Sequence, residues 1–131
     1  MNVSSASSSS RRALVVDDSR AMRAVLRRAL ETLGFDVRDA SDGVDALRVL
    51  AEAAPPDVVL VDWNMPRMDG LELVGQIRQD ARYDTARVVM VTSETELSRV
   101  TCALAAGANE YIMKPFGADV LGEKLAILGV V

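Results

Sequence analysis

Apolar residues follow two different spacings along this chain. Ala13–Val16, Val58–Val61 and Val88–Val91 are short and continuously apolar. Between them lie longer stretches whose apolar residues recur every three or four positions. The first pattern predicts strands covered on both faces, and the second predicts amphipathic helices packed against them. Phe35–Ala40 alternates apolar with polar and predicts a half-exposed strand, and Glu110–Met113 predicts a short fifth one. A first helix starts at Ser19, a good N-cap, carries Met22, Val25, Leu26, Ala29, Leu30 and Leu33 on one face, and closes at Gly34. Others are expected over Asp42–Ala53, ended by Pro55-Pro56, over Gly70–Gln79, over Glu96–Ala106, ended by Gly107, and over Ala118–Leu128. Trp63–Asp69 reads as a loop and Asp80–Arg87 as a polar connection.

Strands alternating with helices predict an α/β fold, a doubly wound, five-stranded parallel sheet with five helices. The alternating second strand and the short fifth belong at the edges. The expected order is therefore 2-1-3-4-5, the flavodoxin-like arrangement, with right-handed crossovers. Ligands in such sheets bind outside the carboxyl ends of the strands, here where strands 1 and 3 diverge. Four strands run into residues suited to that place: Asp17-Asp18, Asp62, Thr92-Ser93 and Lys114-Pro115. Three carboxylates packed together repel unless a cation sits among them, and Mg2+ is commonly held by one or two carboxylates plus a phosphate. An ionised Asp62 is a nucleophile toward phosphorus that needs no general base. The ammonium of Lys114 and the hydroxyl of Thr92 suit phosphoryl oxygens. Taken singly, each has an ordinary alternative: a cap for Asp18 or Thr92, a turn for Asp62, a solvated surface position for Lys114. All four strand ends being suitable at once favours a site.

Composition narrows the chemistry. The chain has no histidine, which excludes a Ser-His-Asp triad, an imidazole metal ligand and a phosphohistidine of its own. Of 15 basic residues only Lys114 and Lys124 are lysines, which makes a lysine at a strand end less of an accident. Lone Cys102 excludes an internal disulfide and a cysteine-only zinc site, and is expected as a small buried residue on a helix. A net charge of −4 without a basic stripe argues against nucleic acid. No apolar stretch is long enough for a bilayer, so no membrane partner is expected. Met1–Ser10, rich in serine, lacks the apolar middle of a signal peptide and is expected as a flexible tail over residues 1–11, before one domain over 12–131. A cytoplasmic location and a monomer are expected.

The segment Val61-Asp62-Trp63-Asn64-Met65-Pro66, continuing through Met68-Asp69-Gly70 to Leu71-Glu72-Leu73, resembles the phosphorylation loop of response-regulator receiver domains. Asp17-Asp18, Thr92 and Lys114-Pro115-Phe116 complete that family's pattern, and the resemblance spans Arg12 to Leu128. Its own strand order is 2-1-3-4-5, so the two readings are not independent. The resemblance implies a two-component phosphoprotein whose acceptor is Asp62. Asp17, Asp18, Asp62 and the backbone carbonyl of Asn64 would hold Mg2+. Thr92 and Lys114 would bind the phosphoryl group, Tyr111 would be the switching aromatic, and Lys114-Pro115 a cis peptide. Asn64 and Glu94 stand where the family tunes dephosphorylation, implying a short-lived phosphoaspartate.

The partners implied are a CheA-like histidine kinase as donor, an output protein that meets the face of the fourth helix, fifth strand and fifth helix, and a phosphatase. The resemblance is nearest to chemotaxis receivers, whose output is the flagellar motor switch. Ser93, where these often carry alanine, a fourth helix poor in lysine, and the tail keep open a non-motility receiver or phosphorelay intermediate. The chain is expected not to be an enzyme beyond its own phosphorylation and dephosphorylation. A Mg2+-dependent aspartyl-nucleophile phosphatase is the rival of another class. Its haloacid-dehalogenase-like form needs a second aspartate where this chain has Asn64.

Overall fold

The strands pair where their polarity predicts. In the computed structural model, which describes residues 11–131, β1 (Arg11–Val16), β2 (Phe35–Ala40), β3 (Val58–Asp62), β4 (Arg87–Thr92) and β5 (Glu110–Met113) form one parallel sheet. Its order is β2-β1-β3-β4-β5. Of the tail expected over residues 1–11, residues 1–10 lie outside the described residues, and Arg11 instead begins β1, paired with Phe35 and donating to the Val130 carbonyl at 2.7 Å. Four helices connect the strands, α1 (Arg20–Thr32), α2 (Gly43–Ala51), α3 (Gly70–Arg78) and α4 (Val100–Ala106), and α5 (Ala118–Ile127) follows β5. No helix among the described residues is long and apolar enough to cross a membrane.

Alternation along the strands sorts the core into two layers. Leu14, Val16, Val59, Val61, Val88 and Met90 pack beneath α2, α3 and α4, against Val49, Leu50, Leu73, Val74, Ile77, Val100 and Ala103. Ala13, Val15, Val58, Leu60, Val89, Val91 and Ile112 face α1 and α5, against Leu26, Leu30, Leu121 and Leu125. Burying each of the larger side chains contributes about 1.5–3 kcal/mol, so both layers hold the strand ends firmly in place.

The structure departs from the sequence expectation in three further places. The expected fourth helix opens as a 3-10 turn over Glu94–Arg99 and becomes α-helical only at Val100. Its tight start follows from Glu96. The Glu96 N–H donates to the Ser93 carbonyl at 3.1 Å, while its carboxylate accepts from the Ser93 N–H at 3.1 Å and the Ser93 hydroxyl at 3.0 Å. The polar connection after α3 is not simply solvated: it forms a 3-10 turn over Ala81–Tyr83 and buries Tyr83 and Ala86. Arg78 fixes it by donating to the carbonyls of Tyr83, Ala86 and Gly107 and to the Asn109 side chain, at 2.7–2.9 Å. Cys102, expected buried, is exposed, because it falls on the solvent side of α4 while its neighbour Ala103 takes the core position.

Candidate functional site

Each acidic strand end is held by the start of the element that follows. One oxygen of Asp17, Oδ1, accepts from the Ser19 N–H at 2.8 Å, and Ser19 caps α1 by accepting from the Met22 N–H at 3.2 Å. Arg23 reaches back to the Asp17 carbonyl at 2.7 Å. After Asp62 the chain makes a close return. The Gly70 N–H donates to the Trp63 carbonyl at 2.9 Å, and any β-carbon at Gly70 would collide with the Asp62 carbonyl oxygen. Only glycine allows the loop to close there. Asp69 then caps α3 through the Glu72 N–H at 2.9 Å.

That loop is also latched from outside. Arg67 sits at φ 66°, the left-handed region a large side chain rarely adopts. Its guanidinium grips the buried carboxylate of Asp42 with two hydrogen bonds, 2.8 and 3.1 Å. Asp42 in turn caps α2 through the Asp45 N–H at 2.8 Å, and the Gly43 N–H donates to the Met68 carbonyl at 3.2 Å. The Arg67 hydrogen bonds hold the Asp42 carboxyl below its usual range.

The expected acidic trio comes together. Asp17, Asp18 and Asp62 each offer an oxygen within 4.8 Å of the others. Asp17 and Asp62 are buried and Asp18 is exposed, so the cluster opens to solvent on one side. Burial, reinforced by the neighbouring Asp17 charge, pushes the Asp62 carboxyl up to about 6, against the pull of Lys114. Burial also raises Asp17, opposed by the Ser19 N–H and Lys114. The second oxygen of Asp17 is buried and has no hydrogen-bond partner among the described residues. The nearest cation to Asp62 is Lys114, its Nζ 3.7 Å from Oδ1.

Thr92, fully buried, ends β4 beside Asp62, and its hydroxyl donates to the Ser93 carbonyl at 3.2 Å. Lys114 is aligned with it through its own N–H, which donates to the Thr92 carbonyl at 2.8 Å, and Lys114-Pro115 is cis. Tyr111 is half-buried on β5, with the Lys124 ammonium 4.9 Å above its ring and Glu110 paired to Lys124 at 3.4 Å. Asn64 is exposed at the mouth, and its carbonyl accepts no hydrogen bond among the described residues. The Asn64 amide donates to Glu96 at 2.8 Å. Glu94, the position expected to act with Asn64, is exposed and makes no side-chain hydrogen bond among the described residues. Sequence reasoning passed over Glu96, although Ser93-x-x-Glu96 is a capping-box spacing that marks it. It also passed over Arg99, whose guanidinium lies 4.7 Å from the ring centre of the buried Trp63.

Chemically, two buried carboxylates lack a full complement of partners and one oxygen has none. Buried charge of that kind calls for a compensating cation. All candidate donors are hard oxygens with one solvent-facing member, which fits Mg2+ and its retained waters.

Comparison with known proteins agrees with this geometry. Residues 13–126 match the family described as the response regulator receiver domain, and the chain belongs to that family. Among its relatives is a chemotaxis protein, CheY1, of Helicobacter pylori, 45% identical over 116 residues that cover 88% of this chain and 94% of the relative. A CheY homologue of Campylobacter jejuni is 46% identical over 113 residues, covering 86% and 87%. The solved structure of CheY4 of Vibrio cholerae superposes with a TM-score of 0.83 at 32% identity, covering 92% of this chain and 99% of that one. The receiver domain of NtrX from Brucella abortus superposes nearly as well, at 0.80 and 31%, covering 88% and 96%.

Proposed function

We propose that this protein is a cytoplasmic phosphorylation switch of the chemotaxis type. It accepts a phosphoryl group from a histidine kinase on Asp62 and responds by changing what its α4–β5–α5 face binds. The observation that carries the reading is Asp62 itself: a buried, elevated carboxylate beside Asp17 and Asp18, with one lysine ammonium 3.7 Å away. In the transfer, an Asp62 oxygen bonds to phosphorus as the bond from phosphorus to the donor histidine nitrogen breaks. Mg2+, held by Asp17, Asp18, Asp62 and the Asn64 carbonyl, would neutralise the added charge. Lys114 binds a phosphoryl oxygen, and the Thr92 hydroxyl turns from Ser93 toward another. Movement of Thr92 frees space beside β5 for Tyr111, which shifts a pre-existing balance between two packings. The only chemistry catalysed is the protein's own phosphorylation and dephosphorylation.

Two observations favour a binding output over a relay. Five of the eight large apolar side chains left exposed among the described residues, Leu97, Leu104, Met113, Val120 and Ile127, lie between the start of the fourth helical segment and the end of α5. The 45–46% identical relatives above are also named for chemotaxis. The fold alone does not choose the output, since the NtrX receiver shares it. The test is fluorescence of Trp63, the single tryptophan, during titration with Mg2+ and beryllofluoride, followed by binding to a motor-switch peptide. A saturable change that requires Mg2+, with peptide binding strengthened by beryllofluoride, supports the proposal. Peptide affinity indifferent to beryllofluoride would remove the motor as target.

A further inference from the structure

Glu96 occupies an unusual place. It belongs to the fourth helical segment, yet it bridges the residues that follow two strand ends. One oxygen takes the Ser93 N–H and hydroxyl, next to Thr92. The other takes the amide of Asn64, two residues past Asp62, at 2.8 Å. Arg99 closes the group from the far side, 3.5 Å from the Asn64 side-chain oxygen and stacked on Trp63. The floor of the pocket, Asp17, Asp62 and Thr92, is buried, whereas Asn64 is exposed and Glu96 half-buried. Asn64 and Glu96 are thus polar groups on the side from which water reaches Asp62.

Loss of phosphate from Asp62 is a hydrolysis. A water oxygen bonds to phosphorus, the P–O bond to Asp62 breaks with its electron pair left on the carboxylate, and a water proton leaves with the inorganic phosphate. The attacking water must lie in line, on the mouth side, and needs a fixed acceptor to orient it. With its amide committed to Glu96 at 2.8 Å and its side-chain oxygen accepting only a long hydrogen bond from Arg99 at 3.5 Å, Asn64 is held in one orientation chiefly by Glu96, and its oxygen keeps a lone pair for water. A free Asn64 would rotate.

We infer that Glu96, rather than Glu94, is the positioning residue that works through Asn64 to set how long a phosphoryl group stays on Asp62. This rests on Asp62 being the acceptor. The test labels the protein with acetyl phosphate and Mg2+, removes the donor, and follows decay of the acid-labile label in Glu96→Gln, Glu96→Ala, Asn64→Ala, the Asn64→Ala/Glu96→Ala double variant and Glu94→Ala. Glu96→Ala should slow decay roughly fivefold, about 1 kcal/mol at 1.36 kcal/mol per tenfold. Glu96→Gln should slow it less, and Glu94→Ala less than Glu96→Ala. The double variant should decay no more slowly than Asn64→Ala, because removing Glu96 matters only through Asn64. Unchanged decay in Glu96→Ala, or effects that multiply in the double variant, overturn the inference, whatever happens to thermal stability. Absence of label on the wild-type protein overturns the Asp62 reading and this inference with it.

Discussion

Asp42 and Asp62 are the same side chain, both buried, one capping α2 and the other ending β3, and their surroundings drive them in opposite directions. Asp42 receives two hydrogen bonds from Arg67 and one from the Asp45 N–H, and its carboxyl is held low. Asp62 is buried and faces Asp17, and the Trp63 N–H and the Lys114 ammonium at 3.7 Å do not offset this, so its carboxyl is pushed up to about 6. The Asp42 charge is satisfied within the fold and stabilises it. The charge at Asp62 is left short of partners, which destabilises the resting protein and leaves room for an incoming ligand. Arg78, with four acceptors around a partly buried guanidinium, belongs with Asp42. Where this protein completes a charge it holds structure together, and where it leaves one incomplete the site lies.

Substitution separates the two most sharply. Asp62→Asn should abolish incorporation of acid-labile phosphate while raising resting stability at pH 7 by roughly 1–3 kcal/mol, since a repelled buried carboxylate is gone. Label retained at full stoichiometry would remove Asp62 as acceptor. Asp42→Ala should act in the reverse sense, lowering stability by about 1–2 kcal/mol through loss of a helix cap, with a smaller part from an ion pair whose arginine is exposed. Equal signs in denaturant melts of the two variants would break the comparison.

The pH dependence should show the same opposition. Between about 4 and 6 the native Asp62 binds more protons than the unfolded one, so its contribution to stability rises as pH falls through that window. The raised Asp17 carboxyl adds in the same direction. Asp42 works the other way: its contribution is present above its unfolded value of about 4 and disappears as pH falls below it. Added Mg2+ should raise the melting temperature at pH 7 and lose that effect toward pH 5, as protons compete for Asp62. A Mg2+ effect independent of pH would place the ion elsewhere. The smallest effect is expected at Arg67. Arg67→Gly relieves a left-handed backbone and forfeits an ion pair whose arginine is exposed, two effects of opposite sign, so denaturant melts should move less than for either aspartate variant. A much larger loss would show the Asp42 latch to be worth more than its strain.

The periodicity of the chain was sufficient for the sheet order and for the residues at its carboxyl edge. Continuous apolar runs mark β1, β3 and β4, alternation marks β2, and each run ends on a polar residue whose chemistry is visible in its letter. Asp17, Asp18, Asp62 and Lys114 were legible because strand ends in a parallel sheet converge by topology, without any detail of packing. Boundaries set by a single side chain were not legible. The fourth helix opens as a 3-10 turn because Glu96 folds back on Ser93, and Cys102 faces solvent because α4 is rotated to bury Ala103.

Sequence by itself therefore determined the fold and the inventory of the pocket. Tertiary structure alone decided which charges are satisfied. Arg67 reaches Asp42 across 25 positions, and Asn64 reaches Glu96, not Glu94, across 32. These pairings depend on the path of two loops, and loop path follows from backbone turns and side-chain contacts that leave no period in the sequence. The same physics explains why Asp42 and Asp62 look alike as letters and differ in function: a carboxylate's energy is set by what folds around it.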